Sequence, residues 1–241
     1  MSSFTPTEIR AVSMLATLYV VRMLGLFMVL PLIAVYSADM TGATPFLLGL
    51  AVGAYGLTQS TLQIPMGWLS DRIDRRWVIV FGLSLLMLGS VVAALSSSIW
   101  GVIAGRFLQG AGAIASATMA LVADYTRVEQ RAKASAIIGG SIAIAFGLAL
   151  VLGPTFANFG GLQGVFSVTA LLATAGIGVV CFLPKPDRRA AASRDAAVGF
   201  QRNRLAEVVS IKSLNTMYAS IFALHFLLMA VFVVVPTGLE S

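Results

Sequence analysis

The chain has 241 residues, of which 58% are hydrophobic and only 11% charged, with a net charge of +6 and a mean hydropathy of +0.92. A soluble domain carries about a quarter charged residues, so this surface has to face lipid. The fold class that follows is all-α: a polytopic membrane helical bundle whose backbone polar groups are satisfied inside each helix. The long, continuous apolar runs exclude a β-barrel, whose strands alternate apolar and polar residues. A single cysteine, Cys181, allows no internal disulfide, and a single histidine leaves no metal-ligand cluster. Neither a metal nor a cofactor is expected. The first apolar run is too long for the core of a cleavable signal peptide.

A hydrocarbon core roughly 30 Å thick needs about 20 helical residues. Seven stretches qualify: 11–36, 45–66, 77–95, 99–123, 133–157, 162–183 and 214–236. The first holds Arg22 near mid-depth with no acidic residue beside it, then Leu24-Gly25 and Pro31. The second carries Gly49, Gly53 and Gly56, and runs into a loop reading Gly67-Trp68-Leu69-Ser70-Asp71-Arg72-Ile73-Asp74-Arg75-Arg76. The fourth contains Gly101 and Gly105, then Arg106 about two turns in and Gln109 three residues on, and ends at Asp124. An arginine inside a membrane helix costs about 2.5–3.5 kcal/mol on insertion scales and normally faces the bundle interior; snorkelling to the outer surface is the alternative. Asp124 stands at a helix C-terminus, where the dipole disfavours an anion, so it calls for Arg72 or Arg75 as a partner. The fifth stretch has Gly139, Gly140 and Gly147, then Gly153-Pro154, where proline frees a carbonyl and permits a bend. Small residues on these helices suit either close packing or sliding.

Pro184 and Pro186 end the sixth stretch. The segment 185–212 is rich in Arg and Ala and reads as a basic linker, holding either disordered chain or an interfacial amphipathic helix built on Phe200, Leu205, Val208 and Val209. The seventh stretch carries His225, whose ordinary pKa near 6.5 suits a proton relay as well as a plain interhelical hydrogen bond. All ten acidic residues fall at helix ends or in loops, so no carboxylate relay is visible at mid-depth.

Charge fixes an expected topology. Arg72, Arg75 and Arg76 lie in one loop, Arg127, Arg131 and Lys133 in another, and seven further Lys and Arg in 184–213, while the turns 37–44, 96–98 and 158–161 have none. Basic loops stay in the cytoplasm. The N-terminus is therefore expected inside, and the positive charge reads as topology and lipid-headgroup contact rather than nucleic-acid binding. Three domains are expected: a six-helix bundle over 1–184, the linker over 185–212, and over 213–241 the first helix of a second bundle.

The loop after the second stretch resembles the G-x-L-a-D-r-x-G-r-k signature of the major facilitator superfamily, through Gly67, Asp71, Arg72, Arg75 and Arg76. Asp74 stands where the family has its second glycine; aspartate tolerates left-handed turn geometry better than most residues. Asp124, Glu129 and Arg131 resemble the family's acid and E-x-R-like turn at the end of the fourth helix. Arg106 and Gln109 resemble its R-x-x-q-G-x-g pattern, tied in relatives to proton coupling. Leu24-Gly25 with Pro31, and Gly153-Pro154, resemble patterns of its drug–proton antiporters.

The resemblance implies twelve helices in two halves, with substrate bound between them. It implies a bacterial inner-membrane secondary transporter, not an enzyme, moving an unspecified small molecule out of the cell with protons. Its switch would lie in Gly67, Asp71, Arg72, Arg75, Arg76, Asp124, Glu129 and Arg131, and its coupling pathway in Arg106 and Gln109, which Arg22 by its depth and His225 by its ordinary pKa would join. The present chain would be a fragment whose structural partner is the missing C-terminal half. The alternative is a seven-helix receptor or a non-transporting membrane protein. A retinal protein needs a Schiff-base lysine in its last helix, and Lys212 precedes that helix.

Overall fold

A computed structural model describes residues 3–36, 40–184 and 210–239. Apart from one isolated bridge between Thr41 and Ser98, the regular structure among them is helical. In chain order the elements are α1 (Pro6–Tyr36), α2 (Pro45–Arg72), α3 (Arg75–Ala94), α4 (Ile99–Ala111), α5 (Ala115–Tyr125), a 3-10 turn at Val128–Gln130, α6 (Arg131–Cys181) and α7 (Lys212–Leu239). Most of the expected linker, 185–209, lies outside the described residues, as does the side chain of His225 in α7.

Four segments among the described residues are long and apolar enough to cross a membrane: Pro6–Ile33, Arg75–Ala94, Ile99–Tyr125 and Val128–Cys181. α2 is also long, at 28 residues, but Thr58, Gln59, Ser60, Thr61 and Gln63 dilute its apolar character. Helix starts follow local chemistry. Thr44 accepts from the Leu47 amide at 3.3 Å ahead of Pro45, a hydroxyl cap beside a proline already set for the helix. Thr5 and Glu8 cap α1 reciprocally: the Thr5 amide donates to Glu8 Oε2 at 2.8 Å and the Glu8 amide to Thr5 Oγ1 at 3.3 Å.

The fold departs from the sequence reading at three points. The expected fourth helix is broken over 112–114 into α4 and α5. Gly112 leaves the helix (φ −74°, ψ 46°), and its Cα packs so tightly that a Cβ there would lie 2.2 Å from the Gly82 carbonyl oxygen. Asp74 is not left-handed: at φ −57° it caps α3, accepting from the Arg76 amide at 2.9 Å. Here aspartate replaces a conformational role with a hydrogen-bonding one. Finally, Gly49, Gly53, Gly56, Gly139, Gly140 and Gly147 have no neighbour within 4 Å of an added Cβ, so those glycines lie on open faces.

Close approach occurs elsewhere, between α3 and α4. A Cβ on Gly89 or on Gly105 would meet the other's carbonyl oxygen at 2.5 Å. Seven residues away along the chain from each, Gly82 and Gly112 also meet, a Cβ on Gly112 lying 2.2 Å from the Gly82 carbonyl oxygen, so α3 and the end of α4 cross on a glycine seam. This matters more in lipid than in water. Lipid tails are as apolar as leucine, so burying leucine drives nothing, and dense backbone packing has to supply the association.

α6 reverses direction at Gly160 and Gly161, the latter at φ +58°, where an L side chain would be strained. The turn expected at 158–161 therefore separates two arms. Ala134 and Ile138 of the first arm share one apolar cluster with Ala173 and Val180 of the second and Ala11–Tyr19 of α1. Ala149 and Ala157 share another with Leu162, Phe166 and Met28–Ile33. The arms therefore run antiparallel along α1. Pro31 and Pro154 sit inside helices that continue past them. Gly153 packs on α1, with an added Cβ 3.1 Å from the Met28 carbonyl oxygen.

The two clusters divide the bundle by depth. One gathers the end that carries the N-terminus and the basic loops; the other gathers the opposite end. Between them lies a polar layer: Arg22 on α1, Tyr55 and Gln59 on α2, Ser90 on α3, Arg106 and Gln109 on α4, and Thr169 on the second arm of α6.

Candidate functional site

The polar layer is held by neutral acceptors. Arg22, only 2% exposed, donates from Nη2 to the Tyr55 hydroxyl at 3.2 Å, to Gln59 Oε1 at 3.3 Å and to the Gly112 carbonyl at 3.3 Å. The break between α4 and α5 supplies that carbonyl, and a cation at the C-terminal end of α4 also complements its dipole. Arg106, 1% exposed, donates from Nε to the Ala51 carbonyl at 3.3 Å and from Nη1 to Gln109 Oε1 at 2.9 Å. Gln109 passes the chain on, donating from Nε2 to Ser90 Oγ at 2.7 Å. Tyr55 serves both cations: its hydroxyl accepts from Arg22, and its ring face lies 4.7 Å from the Arg106 guanidinium carbon.

The layer is incomplete. Nε and Nη1 of Arg22 and Nη2 of Arg106 are buried without an acceptor. The described acids, Glu8, Asp71, Asp74, Asp124 and Glu129, all stand at the basic end. Two buried guanidiniums thus share a layer without a carboxylate among the described residues, whereas buried charges are ordinarily paired.

The basic end is built differently. Arg75 is the hub. It pairs with Asp124 through Nη1 and with Asp71 through Nη2 at 3.4 Å, and donates to the Ala120 carbonyl at 3.4 Å. Of the two partners the sequence offered Asp124, the structure takes Arg75; Arg72 stacks on Trp68 instead, 3.7 Å from the ring centre. Arg76 donates to the Tyr125 hydroxyl at 2.8 Å, and both side chains donate to the carbonyl of Pro184, where the chain leaves α6. Gly67 faces Ser116 of α5, with an added Cβ 3.1 Å from its Oγ. Glu129 is exposed on the 3-10 turn and Arg131 opens α6; both line a surface depression with Asp124 and Arg127.

Sequence reasoning missed one clamp here. Arg127 donates from its backbone amide and Nε to Glu8 Oε1 at 2.9 and 3.1 Å, and from Nη2 to Oε2 at 3.0 Å. The Glu8 hydrogen bond raises the Arg127 pKa above its ordinary value. A signal was available: Thr5-Pro6-Thr7-Glu8 is a capping-box pattern, which places Glu8 at a helix start. Nothing local pointed to Arg127, 119 residues away. Tyr55, Gln59 and Ser90 were missed for the same reason, as ordinary polar residues that become partners only through packing.

A helical bundle with membrane-length apolar segments, a buried polar layer at mid-depth and a charge-paired loop end is a polytopic membrane protein. The family profile of the major facilitator superfamily matches residues 15–240, and the chain belongs to that superfamily. It is 46% identical to the inner membrane transport protein YajR of Escherichia coli over 237 residues, covering 98% of this chain and 52% of that protein. It is 31% identical to the class B tetracycline resistance protein of Escherichia coli over 157 residues, covering 64% of this chain and 38% of that one. Among solved structures, the human organic anion transporter MFSD10 superposes with a TM-score of 0.62 at 22% identity, over 75% of this chain and 48% of that one. Tetrameric PepTSo2 superposes with a TM-score of 0.64 at 16% identity, over 97% and 53%. These likenesses at low identity concern the fold. The chain spans about half the length of the curated relatives it matches.

Proposed function

We propose that this chain is the N-terminal half, with one further helix, of a proton-coupled secondary transporter that exports a small molecule across a bacterial inner membrane by alternating access. The observation that carries the reading is the buried polar layer at mid-depth. An intramembrane ionisable residue is expensive and marks a pathway by default, and here two arginines share one layer. The names of relatives point the same way: an inner membrane transport protein at 46% identity and a tetracycline resistance protein at 31%.

The basic end faces the cytoplasm, by the bias of Lys and Arg toward its loops. There Gly67, Asp71, Arg72, Arg75, Arg76, Asp124, Glu129 and Arg131 form a lock whose making and breaking biases one conformation against another. Arg22, Arg106 and Gln109 line the coupling pathway, with His225 of α7 as its titratable member. Pro31, Gly153 and Pro154 are the points at which α1 and α6 bend against each other. The partner is the C-terminal half, which supplies the other wall of the cavity.

Two measurements test this. The intact mass of the protein in its native membrane should be about twice the 25.3 kDa of this chain; a mass of 25.3 kDa would withdraw the transport claim until reconstitution restored it. The full-length form in proteoliposomes should then move solute only when a proton gradient is imposed. Transport indifferent to that gradient would remove the coupling.

A further inference from the structure

Resting on that reading, we infer that the open side of α2 beside Gln59 is an anion-accepting wall, and that the solute it takes carries a carboxylate, sulfonate or phosphate group. Arg22 and Arg106 both lie behind this wall, at most 2% exposed. Their partners are two backbone carbonyls, two side-chain amides and a phenol, all formally neutral. A guanidinium carries its charge at neutral pH. Neutral acceptors orient the cations and cancel none of their charge. Two positive charges with no described counter-ion project their field toward whichever side is open.

The open side is identifiable. Tyr55 touches both arginines and is itself buried, while Gln59, one turn on and hydrogen-bonded to Arg22, is half-buried. Gly56 lies between them in sequence, is exposed, and a Cβ there meets nothing within 4 Å. It is three residues from Gln59 and so its neighbour on the helix surface. The exposed residues of α2 around it, Gly53, Leu57, Ser60 and Thr61, are uncharged. A solute at Gly56 and Gln59 therefore meets positive potential, with no described carboxylate at that depth to repel an anion or hold a cation. Contact with the guanidiniums is not required; the field acts through Gln59 and Tyr55.

The test measures that potential without knowing the solute. Gly56→Cys is introduced into the full-length protein with its other cysteines, Cys181 among them, changed to serine. Membrane vesicles are treated with an anionic thiol reagent (methanethiosulfonate ethylsulfonate) and, separately, its cationic trimethylammonium counterpart. The ratio of the two labelling rates, divided by the same ratio for a free small thiol, reports the local potential. We expect this quotient to favour the anion by about tenfold, and to fall several-fold in Arg22→Gln and in Arg106→Gln. Arg22→Lys, which keeps the charge, should retain it and so separates loss of charge from loss of fold. A quotient of one or below would overturn the inference, because a carboxylate from the other half then neutralises the layer. Labelling by neither reagent would overturn it too, since the wall would not be open. Neither result depends on a transport assay, so the proposed proton-coupled export stands or falls separately.

Discussion

The same residue type is used in opposite ways at two depths of this bundle. At the basic end, Arg75 and Arg127 pair with carboxylates, and the pairs are partly open to solvent: the Arg75 side chain is 22% exposed and that of Asp71 40%. At mid-depth, Arg22 and Arg106 are buried and, among the described residues, bonded to neutral groups. Solvent explains the contrast. An exposed ion pair is screened and gives about 0–1 kcal/mol, so its geometry can be remade cheaply, which suits a lock. A buried cation without a counter-ion costs stability, so its retention points to a task other than holding the fold.

The contrast can be broken or sharpened by substitution, and the largest effect should come from the seam that positions the inner layer. Gly112→Val forces a side chain into the Gly82 carbonyl, and overpacking against backbone should exceed about 3 kcal/mol. Size-exclusion chromatography in mild detergent should show loss of the monodisperse species; a normal profile would mean that α3 and α4 separate without cost. Next comes Arg106→Met. Exchanging an uncompensated buried charge for an apolar chain of similar length is often neutral or stabilising, by about 1–4 kcal/mol. The melting temperature should hold or rise while solute flux by the full-length form drops by more than about tenfold. A fall in melting temperature with flux intact would make Arg106 a structural residue.

At the basic end the effects should be smaller and graded by burial. Asp124→Asn strips one of two carboxylate partners from Arg75, at a side chain that is only 8% exposed, costing about 1–3 kcal/mol. Asp71→Asn, at a longer and more exposed contact, should cost less than about 0.5 kcal/mol, yet still reduce flux if the lock turns on it; unchanged flux would end that role. Denaturation midpoints for both variants, compared in low and high salt, decide the ordering. The remaining effect is local. Glu8→Gln weakens the joint between the start of α1 and the α5–α6 turn, and should appear as faster amide hydrogen exchange at Thr5 and Arg127 with little change elsewhere.

Much of this is legible in the sequence. Arg22 and Arg106 were singled out because charge inside an apolar run has no cheap explanation, and both lie in the buried layer. Asp124 demanded a base from its position at a helix C-terminus, and a base meets it. Other readings went astray for physical reasons. Gly49, Gly53 and Gly56 of α2 and Gly139, Gly140 and Gly147 of the first arm of α6 suit either packing or sliding, and no described residue covers them; a lone helix does not say which of its faces meets a neighbour. The seam at Gly82, Gly89, Gly105 and Gly112 became visible only once α3 and α4 were crossed. Asp74 looked like a substitute for a flexible turn and proved to be a cap, because its carboxylate reaches the Arg76 amide.

The sequence by itself determined the membrane setting, the helical class, most helix spans and the family, because those follow from apolar run length, charge placement and local motif chemistry. Only the tertiary structure decided the break at Gly112, the choice of Arg75 over Arg72, the tie from Glu8 to Arg127, and the sharing of Tyr55 by two arginines. Each joins residues far apart in the chain, and their distance in space is set by how whole helices pack, a quantity that no local pattern encodes.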